Sequence, residues 1–173
     1  AYKLSEYRKI TQHRRHLLGL GHSTRVTEET MANLSVWIWE CRLEVIAALR
    51  VHLEKWCDLL PRKIDLNLKR GGGGNADGLL EDFHRSCAIL AERERASGLP
   101  LVGPHRDDLI IGCEGRPAPE VLSRGQRRRA ALALVMAAAS AVERRNRASP
   151  VLLFDEVASE RDSAGRTVLM SYL

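Results

Sequence analysis

Aromatic side chains are scarce in this sequence: 2 Phe, 3 Tyr and 3 Trp make up 5% of 173 residues. No basic–aromatic interleaving accompanies them, which argues against a base-stacking platform for nucleic acid. Long apolar runs are missing too. The longest, Ala130 to Ala139, has about ten residues, half of the roughly 20 that a membrane helix needs, so no membrane partner is expected. The 4 cysteines, Cys41, Cys57, Cys87 and Cys113, contain no Cys-x-x-Cys pair, which removes zinc-ribbon and thioredoxin-like motifs. Three of the four fall on apolar stripes, where buried free thiols in a reducing compartment are the expectation. His13 and His16 lack a third ligand nearby in sequence, so no metal centre is expected from them. The Lys/Arg-rich opening is followed by no apolar block of a secretory signal, and a cytoplasmic setting is expected. No Gly-x-x-x-x-Gly-Lys-Ser/Thr occurs anywhere. Gly71 to Gly74 has no Lys-Ser/Thr behind it and reads as a flexible loop, not a phosphate cradle.

What is present describes a folded protein of one or two small domains, 45% hydrophobic and 28% charged. A formal charge of +5 and a sequence pI near 9.3 suit a polyanionic partner. Leu4, Tyr7, Ile10, Leu17 and Leu18 predict a helix over 2–18, broken by Gly19-Leu-Gly21-His-Ser. Thr27-Glu28-Glu29-Thr30 supplies an N-cap and acidic first turn for a second helix. Its stripe runs through Leu34, Ile38, Cys41, Val45, Leu49, Leu53, Trp56 and Leu60 to Pro61. The short Gly-containing loop predicts an antiparallel pair, with Trp37 or Trp39 on the shared face. Alternation at Ile64, Leu66 and Leu68 predicts a strand. Leu79, Leu80, Phe83, Cys87 and Leu90 predict a third helix, stopped by Ser97-Gly98. Residues 1–98 therefore read as a helical module holding one strand.

The texture changes after residue 98. Leu99 to Gly103 is apolar, and Pro104-His105-Arg106-Asp107-Asp108 is densely polar. Leu109-Ile110-Ile111 predicts a strand and Glu114-Gly115 a hairpin turn. Leu122-Ser123-Arg124-Gly125-Gln126 opens a helix that is apolar nearly all round from Ala130 to Ala141, the pattern of a buried helix. Val151-Leu152-Leu153-Phe154 predicts a central parallel strand covered on both faces. Asp155-Glu156 follows at its carboxyl end, where open α/β sheets place ligands. Four apolar residues, then Asp, then Glu, form a Walker B arrangement. In it Asp155 suits Mg²⁺, a hard cation wanting oxygen ligands, and Glu156 suits polarising an attacking water. Ser123, about 30 residues upstream, stands at a helix N-terminus whose free N–H groups and dipole suit phosphate oxygens. Arg124, Arg127, Arg128 and Arg129 add positive charge there. Alone, the first motif could be an acidic pair ending a core strand, and the second a plain N-cap with a solvated basic turn. Their order and separation together point to an ATPase of the ABC superfamily.

Leu122 to Gln126 resembles the ABC signature, Val151 to Glu156 resembles Walker B, and Ala158-Ser159-Glu160-Arg161-Asp162 resembles the D-loop. With Gly103-Pro-His-Arg-Asp-Asp-Leu109 added, the chain resembles the RecF family of bacterial recombination-repair proteins over its whole length. The resemblance implies an α/β fold: a partial ABC/P-loop ATPase head, residues 99–173, with an antiparallel helical lid, residues 1–98. It implies an ATP- and Mg²⁺-dependent DNA-binding protein that dimerises around two ATP molecules. Its implied work is at single-strand/duplex gaps in DNA repair, replication restart and the SOS response, with RecR- and RecO-type mediators, assisting RecA loading. Carried over by position, Ser123 and Gly125 would contact the γ-phosphate of ATP held by the opposite protomer, within a nucleotide-binding set that includes Arg124 and Gln126. Asp155 would be the magnesium carboxylate, Glu156 the catalytic base, and Asp162 would close the D-loop across the dimer.

Arg161 stands where the family's D-loop has Leu, and the family's Walker A belongs to a lobe preceding the lid. The 173 residues alone are therefore not expected to hydrolyse ATP. Two roles stand equally for His105 and Arg106: supporting the nucleotide site or anchoring the lid. Arg8, Arg14, Arg15, Arg144 and Arg145 are the candidates for contacts to DNA phosphates, which would be backbone-directed and salt-sensitive. The competing class is a non-catalytic protein-interaction module with a degenerate ATPase half.

Overall fold

The computed structural model describes residues 2–60, 62–73 and 78–153. Their order is α1 (Tyr2–Gly19), α2 (Arg25–Leu53), a 3-10 turn (Glu54–Leu59), β1 (Ile64–Lys69), α3 (Leu79–Ser97), a short 3-10 turn (Pro104–Arg106), β2 (Asp108–Cys113), β3 (Arg116–Pro117), α4 (Ala118–Val121) and α5 (Arg124–Asn146). The chain gathers into two compact units, Ala1–Glu44 with Leu68–Leu109, and Val45–Asn67 with Ile110–Leu173. The division expected at residue 98 follows the stop at Ser97-Gly98 and the change of sequence texture after it, whereas these units follow contacts.

In the first unit α1 ends where Gly21 turns left-handed at φ +68°. The Gly21 N–H reaches the Leu18 carbonyl at 3.0 Å and the His22 N–H reaches the Leu17 carbonyl at 2.8 Å, a Schellman closure. The α2 helix returns antiparallel: Arg14 meets Thr27 near one end, and Lys3 lies 4.8 Å over the Trp37 ring near the other. Parallel to α1 runs α3, so that Arg14 pairs with Glu94 and Gly19 lies against Gly98. Tyr7, Met31, Ile38, Trp39, Phe83, Cys87 and Val102 form the shared core. Full burial of each large apolar side chain there contributes about 1.5–3 kcal/mol. Of the two candidate tryptophans, Trp39 is the buried one and Trp37 is half-buried.

Arg14 belongs to this core and is withdrawn from the DNA candidates. Its side chain is 3% exposed and lies 2.6 Å from the Glu94 carboxylate, itself 1% exposed. The other Glu94 oxygen accepts the Leu101 N–H at 2.7 Å. Position 14 shares a helical face with Tyr7 and Leu18, both buried, so the helix turns it inward while Arg8 and Arg15 face solvent.

In the second unit the helix expected to reach Leu60 stops at Leu53 and tightens into the Glu54–Leu59 3-10 turn. Trp56 leaves helical geometry there (φ −109°, ψ 22°), and its indole N–H donates to Ser140 Oγ of α5 at 3.3 Å. Leu60 is extended, as a residue before proline prefers. The sheet order is β1-β2-β3, with β2 and β3 antiparallel around Glu114 (φ 53°) and Gly115 (φ 75°), the left-handed pair a two-residue hairpin needs. On α5, Ala130, Ala133, Met136 and Ala137 are buried, and the 3-10 turn packs against this helix. Val135 and Val142 stay 47% and 44% exposed, so the expected all-round burial is corrected to burial of one face. No strand forms over Val151 to Leu153, because a strand exists only through a ladder and no described strand pairs with them. Phe154 lies outside the described residues. Cys87 and Cys113 are buried free thiols, Cys41 is half-buried, and Cys57 is exposed.

Removing one partner of a buried ion pair strands the other charge, so Arg14→Leu is expected to cost about 3–5 kcal/mol. Arg15→Leu, on the solvent face, should leave the urea midpoint nearly unchanged. Equal midpoints for the two variants would contradict the inward placement of Arg14.

Candidate functional site

Two groups of residues singled out by sequence can be followed in the structure, one in each unit. In the first unit the Gly103-to-Asp107 segment folds back on α1, α2 and the Gly71 loop. The Asp107 side chain, 3% exposed, accepts the Trp39 indole N–H at 3.0 Å and the Gly71 N–H at 2.8 Å. Arg42 pairs with the same carboxylate and donates to the Pro104 carbonyl at 2.7 Å. The Gly103 N–H closes the ring by donating to the Gly71 carbonyl at 2.9 Å. A Cβ on Gly71 would collide with Arg106 Cβ and the Gly103 carbonyl. Gly71 is therefore a buried packing position, which corrects its reading as part of a flexible loop; Gly74 lies outside the described residues.

His105 is held at both ring nitrogens. The Tyr7 hydroxyl lies 2.7 Å from Nδ1, and Nε2 lies 3.1 Å from the Pro100 carbonyl. A carbonyl only accepts, so Nε2 carries the proton and Nδ1 accepts from Tyr7. Burial pushes the Tyr7 hydroxyl up to about 12 and keeps it a donor. Burial also lowers the His105 pKa from 6.5, against an opposing contribution from the Pro100 carbonyl. The polar groups of His105 and Asp107 are thus spent inside the unit, which favours the anchoring role over the nucleotide role. Arg106 is exposed, with no ion pair among the described residues.

In the second unit Ser123 is the N-cap of α5, at φ −63° and ψ 166°. Its Oγ accepts the Gln126 N–H at 3.3 Å, and its own N–H donates to Gln126 Oε1 at 2.9 Å, a complete capping box. The Arg127 N–H reaches the Ser123 carbonyl at 2.9 Å, starting the helical ladder. The Arg124 and Gly125 N–H groups, one turn too early for that ladder, have no intrahelical acceptor. No acidic residue stands in the first turn, and Arg124 and Arg127 are exposed. Two free N–H groups, a hydroxyl, arginines and the dipole's positive end can together hold an anion through hydrogen bonds. Arg144 and Arg145 are exposed in the last turn of α5, whereas Arg8 and Arg15 are exposed on α1 of the other unit. Asp155, Glu156 and Asp162 lie outside the described residues. Among the described residues no group of three or more His, Cys, Asp or Glu could hold a metal ion, and no helix is long and apolar enough to cross a membrane.

No family model matches the chain. Individual proteins do. It is 31% identical to the DNA replication and repair protein RecF of Alkaliphilus oremlandii over 99% of this chain and 50% of that protein. It is 33% identical to RecF of Saccharophagus degradans over 86% of this chain and 41% of that protein. With RecF of Bacillus velezensis it shares 29% identity over 98% of this chain and 50% of that protein. The chain belongs to the RecF family. It spans about half the length of the RecF relatives it matches. A solved RecF–ATP structure, described as the recombination mediator of the RecFOR pathway, superimposes at TM-score 0.83 and 21% identity, over 98% of this chain and 49% of that one. The RecF–ATPγS structure gives TM-score 0.83 and 23% identity, over 96% and 50%. The α/β fold of this chain is therefore that of part of RecF, an ABC ATPase-like fold.

Sequence reasoning missed Tyr7, Trp39, Arg42 and Gly71 as partners of the Gly-Pro-His-Arg-Asp segment. No local signal marks them, because Trp39 and Asp107 are 68 residues apart.

A histidine kept neutral by the fold is protonated first in the unfolded chain. Its contribution to stability is thus complete above about 6.5, begins to fall at that unfolded value and is lost as pH drops to the lowered folded one. His105→Gln should show a smaller loss of urea midpoint between pH 7 and pH 5 than the unsubstituted chain. Identical losses would mean His105 is not held neutral.

Proposed function

We propose that this chain supplies the signature-helix side of a composite ATP site in a RecF-type recombination mediator, with residues 1–98 acting as the lid and 99–173 as part of the ATPase head. Supporting this most directly is the Ser123 cap: its hydroxyl, the Arg124 and Gly125 N–H groups without an intrahelical acceptor, and the exposed Arg124 and Arg127 side chains stand together at the start of α5, with no acid in the first turn. In this reading Ser123 and Gly125 meet the γ-phosphate of ATP held by the opposite protomer, and Arg124 adds charge beside it. Asp155 is the residue to hold Mg²⁺, Glu156 the general base and Asp162 the D-loop contact. Bound ATP would supply the charge that draws two protomers together, so the working state is an ATP-dependent homodimer. RecF relatives are DNA replication and repair proteins, and by that kinship the function is DNA repair and replication restart in the cytoplasm. The partners are gapped DNA and RecR- and RecO-type mediators, with RecA loading as the outcome. Arg8, Arg15, Arg144 and Arg145 are the DNA phosphate contacts of this proposal, each expected to contribute roughly one unit to the salt slope of binding.

The test uses a full-length RecF polypeptide that carries these 173 residues. Glu156→Gln with ATP should accumulate a dimer in sedimentation. Ser123→Asp keeps an N-cap acceptor but presents a carboxylate where a phosphate should dock, so it should abolish that dimer while each protomer still binds ATP. A persistent monomer in Glu156→Gln, or an intact dimer in Ser123→Asp, would sink the proposal.

A further inference from the structure

We propose that Gln126 is a positioning residue that sets the Ser123 hydroxyl as a donor toward phosphate, and is not itself a ligand of the nucleotide. This rests on the composite-site reading above, and it departs from the family resemblance, which would count Gln126 within the nucleotide-binding set. Both of its polar links to Ser123 are made. The carboxamide oxygen accepts the Ser123 N–H at 2.9 Å, and the Gln126 backbone N–H donates to Ser123 Oγ at 3.3 Å. A serine hydroxyl has one proton and two lone pairs. Because the helix supplies a donor to one lone pair, the proton is left to be given outward, to an acceptor beyond the helix end. The other bond pins the Ser123 backbone, so the hydroxyl oxygen stays in place before any ligand arrives. A ligand's acceptor then meets an oxygen already in place, with one lone pair occupied, and only the hydroxyl proton has to turn toward it on binding.

This assignment separates two roles that a loss-of-function variant alone would confuse. Glu at the third helical position closes a capping box as well as Gln does, and its charge is favoured by the helix N-terminus. Met has similar length and no acceptor. A positioning residue therefore tolerates Gln126→Glu and not Gln126→Met. A residue in direct contact with phosphate shows the opposite tolerance for Glu, because two anions would face each other.

In a full-length RecF polypeptide carrying these residues, the ATP-dependent dimer constant is measured by sedimentation and ATP binding to the protomer by titration. Gln126→Glu should dimerise within about threefold of the unsubstituted protein, and Gln126→Met should lose tenfold or more, with protomer ATP affinity unchanged in both. In the 173-residue chain itself, amide exchange at Ser123 should be slow in the unsubstituted and Glu forms and faster in the Met form. Equal loss of dimer in Glu and Met would overturn the proposal in favour of direct contact. Full dimerisation in Met, or fast Ser123 exchange in the unsubstituted chain, would also overturn it. If the unsubstituted protein forms no ATP-dependent dimer, the composite-site reading fails and this role fails with it, while slow Ser123 exchange would still mark the capping box as formed.

Discussion

Asp107 is the group on which the first unit depends. A carboxylate with a 3%-exposed side chain is tolerable only if its lone pairs are occupied. Here an indole, a guanidinium and a backbone N–H occupy them, drawn from α2 and from the Gly71 loop. The constraint propagates outward. The loop must approach closely enough for its N–H to reach the carboxylate, which forbids a side chain at Gly71. Gly103 must turn at φ +124° beneath the Tyr7 hydroxyl, where a Cβ would clash. The Tyr7–His105–Pro100 chain then fixes the segment from its other side. The polar density of Gly-Pro-His-Arg-Asp thus follows from the need to anchor a turn between helices, with Arg106 alone carrying its charge into solvent.

The second unit solves a different problem with the opposite tactic. Its key helix leaves donors unsatisfied. Capping Ser123 against Gln126 removes one orphan N–H and fixes the entry geometry, while the Arg124 and Gly125 N–H groups stay open to an external acceptor. With arginines and no acid in the first turn, the end of α5 is preorganised for negative charge. The Trp56 bond to Ser140 and the buried Ala130, Ala133, Met136 and Ala137 hold the body of that helix, which packs against the 3-10 turn.

Features carried by a short stretch of chain were legible in the sequence. Gly21 and Ser97-Gly98 stop α1 and α3, Glu114-Gly115 turns the hairpin, and Ser123 opens α5 as its N-cap. Features set by distant partners were not. The α2 helix ends early because Trp56 finds Ser140, 84 residues on, which no periodicity can reveal. Arg14 lies between these cases: its face with Tyr7 and Leu18 was visible in the spacing, but its charge suggested solvent, and only Glu94, 80 residues away, shows why it turns inward. The apolar surround of α5 promised burial on every side, yet composition gives only the capacity for burial and the neighbours decide its extent.

The central claim is that these residues hold one side of a nucleotide site and lack the other. ATP turnover by the purified 173-residue chain, alone and at high concentration, tests this most directly. The account predicts none above the uncatalysed background, because no Gly-x-x-x-x-Gly-Lys-Ser/Thr is present to grip the phosphates. Steady hydrolysis by the chain alone, abolished by Glu156→Gln, would contradict it.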